Sequence, residues 1–304
     1  MTSFLPSMLC VLESLTLDTE ELAELENFHP KNLRFIQHLP QSTANPAVYL
    51  LLGAPPVEAH LRAHTLFGSI ISHPNPSNVI TSVVTRQLAM KGHNSSSWTT
   101  YIKTLCIKYA LPSPCGLSQD PPNKKAWKKQ IRSAIFDFWT AKLRKEAAEK
   151  KSLAMINLEK CKLRSMHNVW KNLPNTLDVQ KATVKVKLMV MRYPLPTSPL
   201  AKRLPTCPLC SKEDETTTHI LLTCEATDKC RQPYLPAILE NCRTNNIDIN
   251  LDNITNYIFD NSNLPAKDQK FEITSRNLIY KLHHCRTVLL GGMSQYATGS
   301  GKKQ

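Results

Sequence analysis

Glycine is scarce in this chain: there are eight in 304 residues, and four of them (Gly291, Gly292, Gly299, Gly301) fall in the last fourteen. Neither GxGxxG nor GxxxxGK followed by Ser or Thr occurs. Such patterns bring a backbone loop close to a phosphate, so the doubly wound dinucleotide-binding and P-loop classes are excluded. No stretch approaches the roughly twenty consecutive apolar residues that a membrane-spanning helix requires. Met1–Leu12 is apolar, but it lacks a basic leader and a small-residue cleavage site and is interrupted by Pro6. It is therefore not read as a signal peptide. No arrangement of Ser, His and Asp suggests a nucleophilic triad.

The composition that remains is that of a folding chain, with 41% hydrophobic and 20% charged residues. The length suits about two domains. Charge is strongly uneven. The net charge is +14, from 38 Lys and Arg against 24 Asp and Glu. Residues 1–30 carry six acids and no Lys or Arg, whereas residues 121–190 carry seventeen Lys and Arg against five acids. A solvated helical face is the plain reading of a charge run, but this concentration also suits a polyanionic partner.

Periodicity points to a mainly α protein. Asp18-Thr-Glu-Glu21 resembles a capping box opening a helix with Leu22, Leu25 and Phe28 on one face, and a second helix is expected from Pro30 with Leu33, Ile36 and Leu39. Ala47–Leu52 is an apolar run that stops at Gly53-Ala-Pro-Pro56, and Val57–Ile71 and a segment carrying Ile102, Leu105, Cys106 and Tyr109 read as helical. His73–Ser77 and Gly92–Ser97 read as loops, and Pro112–Pro122 as a break between domains. A long helix is expected from Lys124 to about Lys151, with Trp127, Ile131, Ile135 and Phe138 on its apolar side. Lys125, Lys128, Lys129 and Arg132 lie on an adjacent stripe. Val179–Met191 mixes basic and β-branched residues and leaves helix or strand open. Further helices are expected over Arg231–Glu240, Leu251–Phe259 and Phe271–Leu290, with Gly291–Gln304 a disordered tail. Trp98, Trp127, Trp139 and Trp170 interleave with the basic stretch and could stack on bases. At helical spacing Trp127 and Trp139 read rather as core.

The sharpest local signal is Cys207-Pro-Leu-Cys210, followed by His219 and Cys224, a C-x2-C-x8-H-x4-C pattern. A C-x2-C turn presents two thiolates on one side of a loop. A His and a Cys five residues apart, on a helical turn or across a short loop, can complete a tetrahedron. Three thiolates and one imidazole fill Zn²⁺ and leave no open position, so one structural ion is expected. Cys230 is a substitute ligand for Cys224. With ten cysteines in a large chain, reduced thiols plus a metal are expected in place of a disulfide framework. His283-His284-Cys285 is a weaker metal candidate, because adjacent helical side chains diverge by about 100°. Asp248, Asp252 and Asp260 fit caps and loops better than a two-metal nuclease.

With these residues in hand, a family likeness emerges. Cys207 through Cys224 resembles the zinc-binding segment near the C-terminus of reverse transcriptases of non-LTR (LINE-type) retrotransposons. Leu5-Pro-Ser-Met-Leu-Cys-Val-Leu-Glu13 is similar to the segment that follows the polymerase palm in that family. Leu51-Leu-Gly53-Ala-Pro-Pro-Val-Glu58-Ala and the stretch from Ser97-Trp98 through Ile107-Lys-Tyr-Ala-Leu-Pro-Ser-Pro114 resemble its thumb and post-thumb stretches. Lys181-Ala-Thr-Val-Lys-Val-Lys-Leu188 and Leu282-His-His-Cys-Arg286 fit its tail. One departure matters: the family's polymerase needs an aromatic-x-Asp-Asp box to hold two Mg²⁺ ions, and this chain contains no Asp-Asp pair.

The resemblance implies a thumb and post-thumb-like helical region over 1–118 and a basic helical connector over 119–200. A zinc-binding segment at 201–230, a helical tail at 231–290 and the disordered residues 291–304 follow. It implies a nucleic-acid-binding fragment, not catalytic alone, whose partners are RNA or DNA and the missing palm in cis or trans, with no membrane and no small-molecule substrate. Lys124, Lys125, Lys128, Lys129 and Arg132 are the expected phosphate contacts, and Cys207, Cys210, His219 and Cys224 the expected metal ligands. Cytoplasm and nucleus are the expected locations. The competing reading is a zinc-stabilised protein-interaction module or a relic of the element.

Overall fold

The computed structural model describes residues 17, 19–71, 79–90, 97–120, 122–195, 205–260 and 269–299. Twelve α-helices account for most of these residues. Among the described residues there is no strand, only one antiparallel bridge between Thr206 and Asp214. The mainly α expectation is met. The expectations for 1–16, for the His73–Ser77 loop and for most of Gly92–Ser97 lie outside the described residues, as does Asp18 of the capping box.

The helices are α1 (Thr19–Ile36), α2 (Asn45–Leu52), α3 (Val57–Ile71), α4 (Val79–Met90), α5 (Trp98–Lys108), α6 (Pro114–Gln119) and α7 (Lys124–Ala148). They continue with α8 (Thr176–Met189), α9 (Asp228–Arg231), α10 (Leu235–Thr244), α11 (Leu251–Phe259) and α12 (Gln269–Gly299). They group into two compact units that interleave along the chain: residues 1–33, 53–143 and 162–164 form the first, and residues 34–52, 144–161 and 165–304 the second. The unit limits fall within α1 and α7, not in the Pro112–Pro122 stretch.

Within the first unit, α3, α4, α5 and α6 pack on one another. Several ends are fixed by side chains. Ser97 caps α5 by accepting the Thr100 N–H, and Ser113 caps α6 by accepting the Gly116 N–H. The Glu26 carboxylate of α1 accepts the Glu58 N–H at 2.7 Å, satisfying a free donor in the first turn of α3. Glu58 itself pairs with Lys108 at 2.9 Å.

Helix α7 has an unusual core-facing pattern. Trp127, Ile131, Ile135, Trp139, Leu143 and Ala147, each four residues from the last, are all buried. At about 100° per residue a strict four-residue step advances about 40° around the axis each time, so the apolar stripe winds about the helix. Phe138, expected on the apolar side, is 36% exposed, and Trp139 takes the inward place one position further round. Trp127, Trp139 and Trp170 are all buried, so these three rings belong to the core and do not offer stacking faces.

The second unit is organised by α12, which packs along α8 and also receives α9, α10 and α11. The sequence left residues 179–191 open between helix and strand; α8 is a helix, capped by the Asn175 side chain. Its register sends Lys185 inward, fully buried. Its ammonium donates to Glu272 at 2.7 Å and to Ser275 Oγ at 2.8 Å on α12. Burial, more than any other cause, lowers the Lys185 pKa from its ordinary value, and the Glu272 carboxylate opposes that shift. Helix α2 is buried almost throughout, and its Leu51 carbonyl accepts the His167 N–H at 2.9 Å.

Two expected breaks are absent. Residues 19–36 form one helix with Pro30 inside it, where two helices were expected. Proline removes one helical hydrogen bond and crowds the preceding turn, which tertiary packing can offset; Pro30 and the neighbouring His29 are both buried. Helix α12 continues through Gly291 and Gly292 to Gly299, over residues expected to be disordered. Glycine weakens a helix by about 1 kcal/mol relative to alanine, a cost that does not by itself end it. Residues 300–304 lie outside the described residues. At Gly53, by contrast, a φ of 63° closes α2 in a left-handed turn that favours glycine.

Candidate metal centre

Cys207, Cys210, His219 and Cys224 converge in the second unit. One ligand atom from each lies within 4.8 Å of all the others. This is the one such Cys/His/acid group found among the described residues. Cys207 Sγ and Cys224 Sγ are 3.9 Å apart, and Cys210 Sγ lies 3.3 Å from His219 Nε2. Cys207, Cys224 and His219 are buried, while Cys210 is half-buried at the rim.

The local backbone explains how four residues spread over the C-x2-C-x8-H-x4-C pattern meet. Thr206 bridges Asp214, the Cys207 N–H donates to the Glu213 carbonyl at 2.7 Å, and the Glu215 N–H donates to the Pro205 carbonyl at 2.8 Å. These bonds fold 205–215 into a tight knuckle. The turn closes through Ser211, which has a φ of 54° and donates its N–H to the Cys207 carbonyl at 2.9 Å. Both thiols of the C-x2-C pair therefore point to one side.

The other pair depends on a π-helical turn over His219–Thr223. On an α-helix two residues five apart diverge by about 140°, too far to share an ion. The widened turn, closed by the Cys224 N–H donating to the His219 carbonyl at 2.8 Å, brings them to one side. Such turns are rare and often mark functional sites. The spacing fitted a helical turn or a short loop, and nothing in the sequence separated the π turn from an α turn.

Around this cluster, supporting groups fix the ligand orientations. With Nε2 directed at Cys210, His219 Nδ1 lies 2.8 Å from Glu213 Oε2 and 3.0 Å from Thr223 Oγ1. A carboxylate on the outer nitrogen holds the tautomer that leaves Nε2 free to ligate. Burial pushes the Cys207 thiol up to about 12. At Cys210 burial also pushes upward, but the backbone N–H groups of Lys212 and Glu213, with Cys207 and His219, outweigh it and hold the thiol at about 7. Cys207 is thus a neutral thiol at pH 7 unless a cation compensates it. A metal ion held there would supply that compensation and displace the proton. The donor set therefore fits a metal ion.

The knuckle is tied to α12. The Arg286 guanidinium donates to both Glu215 oxygens, at 2.7 and 2.8 Å, with Glu215 fully buried. Tyr193 OH and His283 Nδ1 share a 2.7 Å hydrogen bond nearby in the same unit. A second tie departs from the reduced-thiol expectation: Cys230 and Cys285 are joined in a disulfide. Cys230 is thereby removed as a substitute for Cys224, and Cys285 from the His283-His284-Cys285 candidate. Two distant helices bring these sulfurs together, so local spacing could not reveal the pair. Two of the three carboxylates considered for a nuclease have other partners. Asp260 accepts the Asn157 N–H at 2.6 Å and lies 3.3 Å from His167 Nε2, and Asp248 accepts from the Asn250 side chain.

The expected phosphate contacts lie on the first nine residues of α7, in the first unit. Lys124, Lys125, Lys128 and Lys129 are exposed and Arg132 is half-exposed. Around the helix they cover an arc of about 140°. The Lys128 ammonium lies 5.0 Å from the Phe67 ring centroid. No helix among the described residues is long and apolar enough to cross a membrane.

Comparison of the chain with protein-family models, with curated proteins and with solved structures returns no match. The likeness to LINE-type reverse transcriptases therefore rests on the residues quoted for it.

Proposed function

We propose that this chain is a non-catalytic nucleic-acid-binding segment, organised in part by one structural Zn²⁺, of the kind found in the C-terminal part of a LINE-type reverse transcriptase. The observation that carries the binding role is the basic face of α7, where four lysines are exposed and none of the five cations is ion-paired among the described residues. Such a face neutralises phosphates and releases counterions, giving affinity with little sequence preference. Polymerase chemistry would come from a palm supplied in cis or trans, because this chain has no Asp-Asp pair.

The choice of zinc rests on donor chemistry and spacing. Thiolates at about 2.3 Å from a tetrahedral ion are about 3.8 Å from each other, with sulfur–nitrogen edges slightly shorter. The 3.9 Å and 3.3 Å separations here suit that geometry. Four protein donors fill the coordination sphere, so the ion would supply folding energy and no reactive water.

The test is a fluorescence titration of a primer–template duplex, and of single-stranded RNA and DNA, across a salt series. Replacing Lys124, Lys125, Lys128, Lys129 and Arg132 together by Gln removes up to five phosphate contacts. The log–log salt slope on duplex is then expected to flatten by about 4–5. That corresponds to about 500-fold less change in affinity between 50 and 200 mM salt. An unchanged slope would refute the assignment.

A second reading, a zinc-stabilised protein-interaction module, is favoured by Phe28 and Phe35, seven residues apart on α1 and 54% and 76% exposed. It expects weak salt dependence, no competition by heparin and loss of partner binding when these two rings are replaced.

A further inference from the structure

We infer that Cys230 and Cys285 form a reversible thiol–disulfide site, exchanging with a small monothiol of the glutathione class. The site would set how firmly the metal-bearing segment is held to α12.

The described cysteines differ sharply in their surroundings. Cys207, Cys210 and Cys224 belong to the metal cluster. Cys106, Cys161 and Cys242 are buried, and burial pushes the thiols of the first two up to about 11 and about 12, which makes them inert. Cys230 and Cys285 are instead half-exposed, and they are bonded to each other. Partial exposure admits an attacking thiol, a condition for exchange that the buried thiols do not meet.

The position of the bond gives exchange a consequence. Cys230 lies on α9, six residues beyond the candidate ligand Cys224, and Cys285 precedes Arg286, whose guanidinium grips Glu215 within the knuckle. The disulfide and the ion pair are thus two parallel ties between 205–231 and α12. Opening one leaves the other, so reduction would loosen the segment without releasing it.

The chemistry balances with the monothiol as reductant. Its thiolate attacks one sulfur of the pair, the Cys230–Cys285 bond breaks, and the other sulfur leaves as a thiolate and takes a proton. A second monothiol attacks the mixed disulfide and releases the remaining cysteine. Two protein thiols and one oxidised disulfide result, a two-electron transfer that runs backwards when the oxidised form is in excess.

The experiment equilibrates the full chain, with Zn²⁺ present, against a series of reduced-to-oxidised glutathione ratios. Differential alkylation and peptide mass spectrometry then follow the Cys230–Cys285 link, and hydrogen exchange follows residues 225–231. The link is expected to form and open reversibly in one transition, with exchange over 225–231 at least about tenfold slower in the linked form. Cys230→Ser and Cys285→Ser should each abolish the link and both match the reduced wild type. Absence of the link at every ratio, a link from Cys230 to Cys207, Cys210 or Cys224, or equal exchange in both forms would overturn the proposal. None of these readouts depends on nucleic-acid binding.

Discussion

Removing the Arg286 guanidinium should cost far more than removing a surface charge, and the structure sets the scale. Glu215 is fully buried, Arg286 is 8% exposed, and two short bonds of 2.7 and 2.8 Å join them. Arg286→Met leaves a carboxylate in the interior without its counter-charge, a change that typically destabilises by about 3–5 kcal/mol. An exposed ion pair would contribute less than about 1 kcal/mol. Combining Arg286→Met with Glu215→Leu removes both charges together, so the double variant should recover most of the loss. Urea unfolding followed by hydrogen exchange in peptides from 205–231 and 269–290 separates this unit from the rest of the chain. Free zinc must be held constant, because metal binding itself stabilises the folded state. A single-variant cost below about 1 kcal/mol, or a double variant as unstable as the single, would refute the reasoning.

Three further outcomes follow from other parts of the molecule. Cys210→Ser should weaken metal retention and make 205–231 the first site of limited proteolysis, while α7 stays resistant; unchanged cleavage there would count against a metal-organised knuckle. In the first unit, burial, with His60 alongside, lowers His29 to about 4; burial, with His64, Arg132 and Arg164, lowers His60 to about 4. Both histidines are thus neutral when folded, so their contribution is complete above about pH 6.5 and falls away as pH drops towards 4. At pH 5 the loss is at most about 2 kcal/mol per histidine, and unfolding curves of His29→Gln against wild type should converge as pH falls through that window. Trp127→Ala, at a fully buried site on α7, should cost about 3–5 kcal/mol by equilibrium denaturation; a loss under about 1 kcal/mol would mean that this ring is not core.

Helix positions were legible wherever the pattern was local. Val57–Ile71 could be read from an apolar run that begins after Pro56, and the start of α7 from Trp127 and Ile131, while Ala47–Leu52 showed only as an apolar run ending at Gly53. The four candidate ligands were legible because ligand spacing is a property of neighbouring residues. What escaped was set by partners remote in sequence. Lys185 looks like a surface cation until Glu272 on another helix meets it. The Cys230–Cys285 bond joins residues 55 apart. Phe138 fell outside the core because a strict four-residue step winds, whereas the expected pattern closed with a step of three. Pro30 and Gly291 carry local costs of helix formation that packing or continued hydrogen bonding outweighs, so their reading as breaks failed for the same reason.

The π turn over His219–Thr223 implies that counting matters more than spelling in this stretch. A widened turn is an α-helical turn holding one residue too many, and it is that surplus which brings Cys224 round to the side of His219. Substitutions at Leu222 leave the tally intact. Deleting a single residue between His219 and Cys224 would let the turn relax to ordinary pitch, with all four ligands still encoded and two of them no longer aimed at the same point.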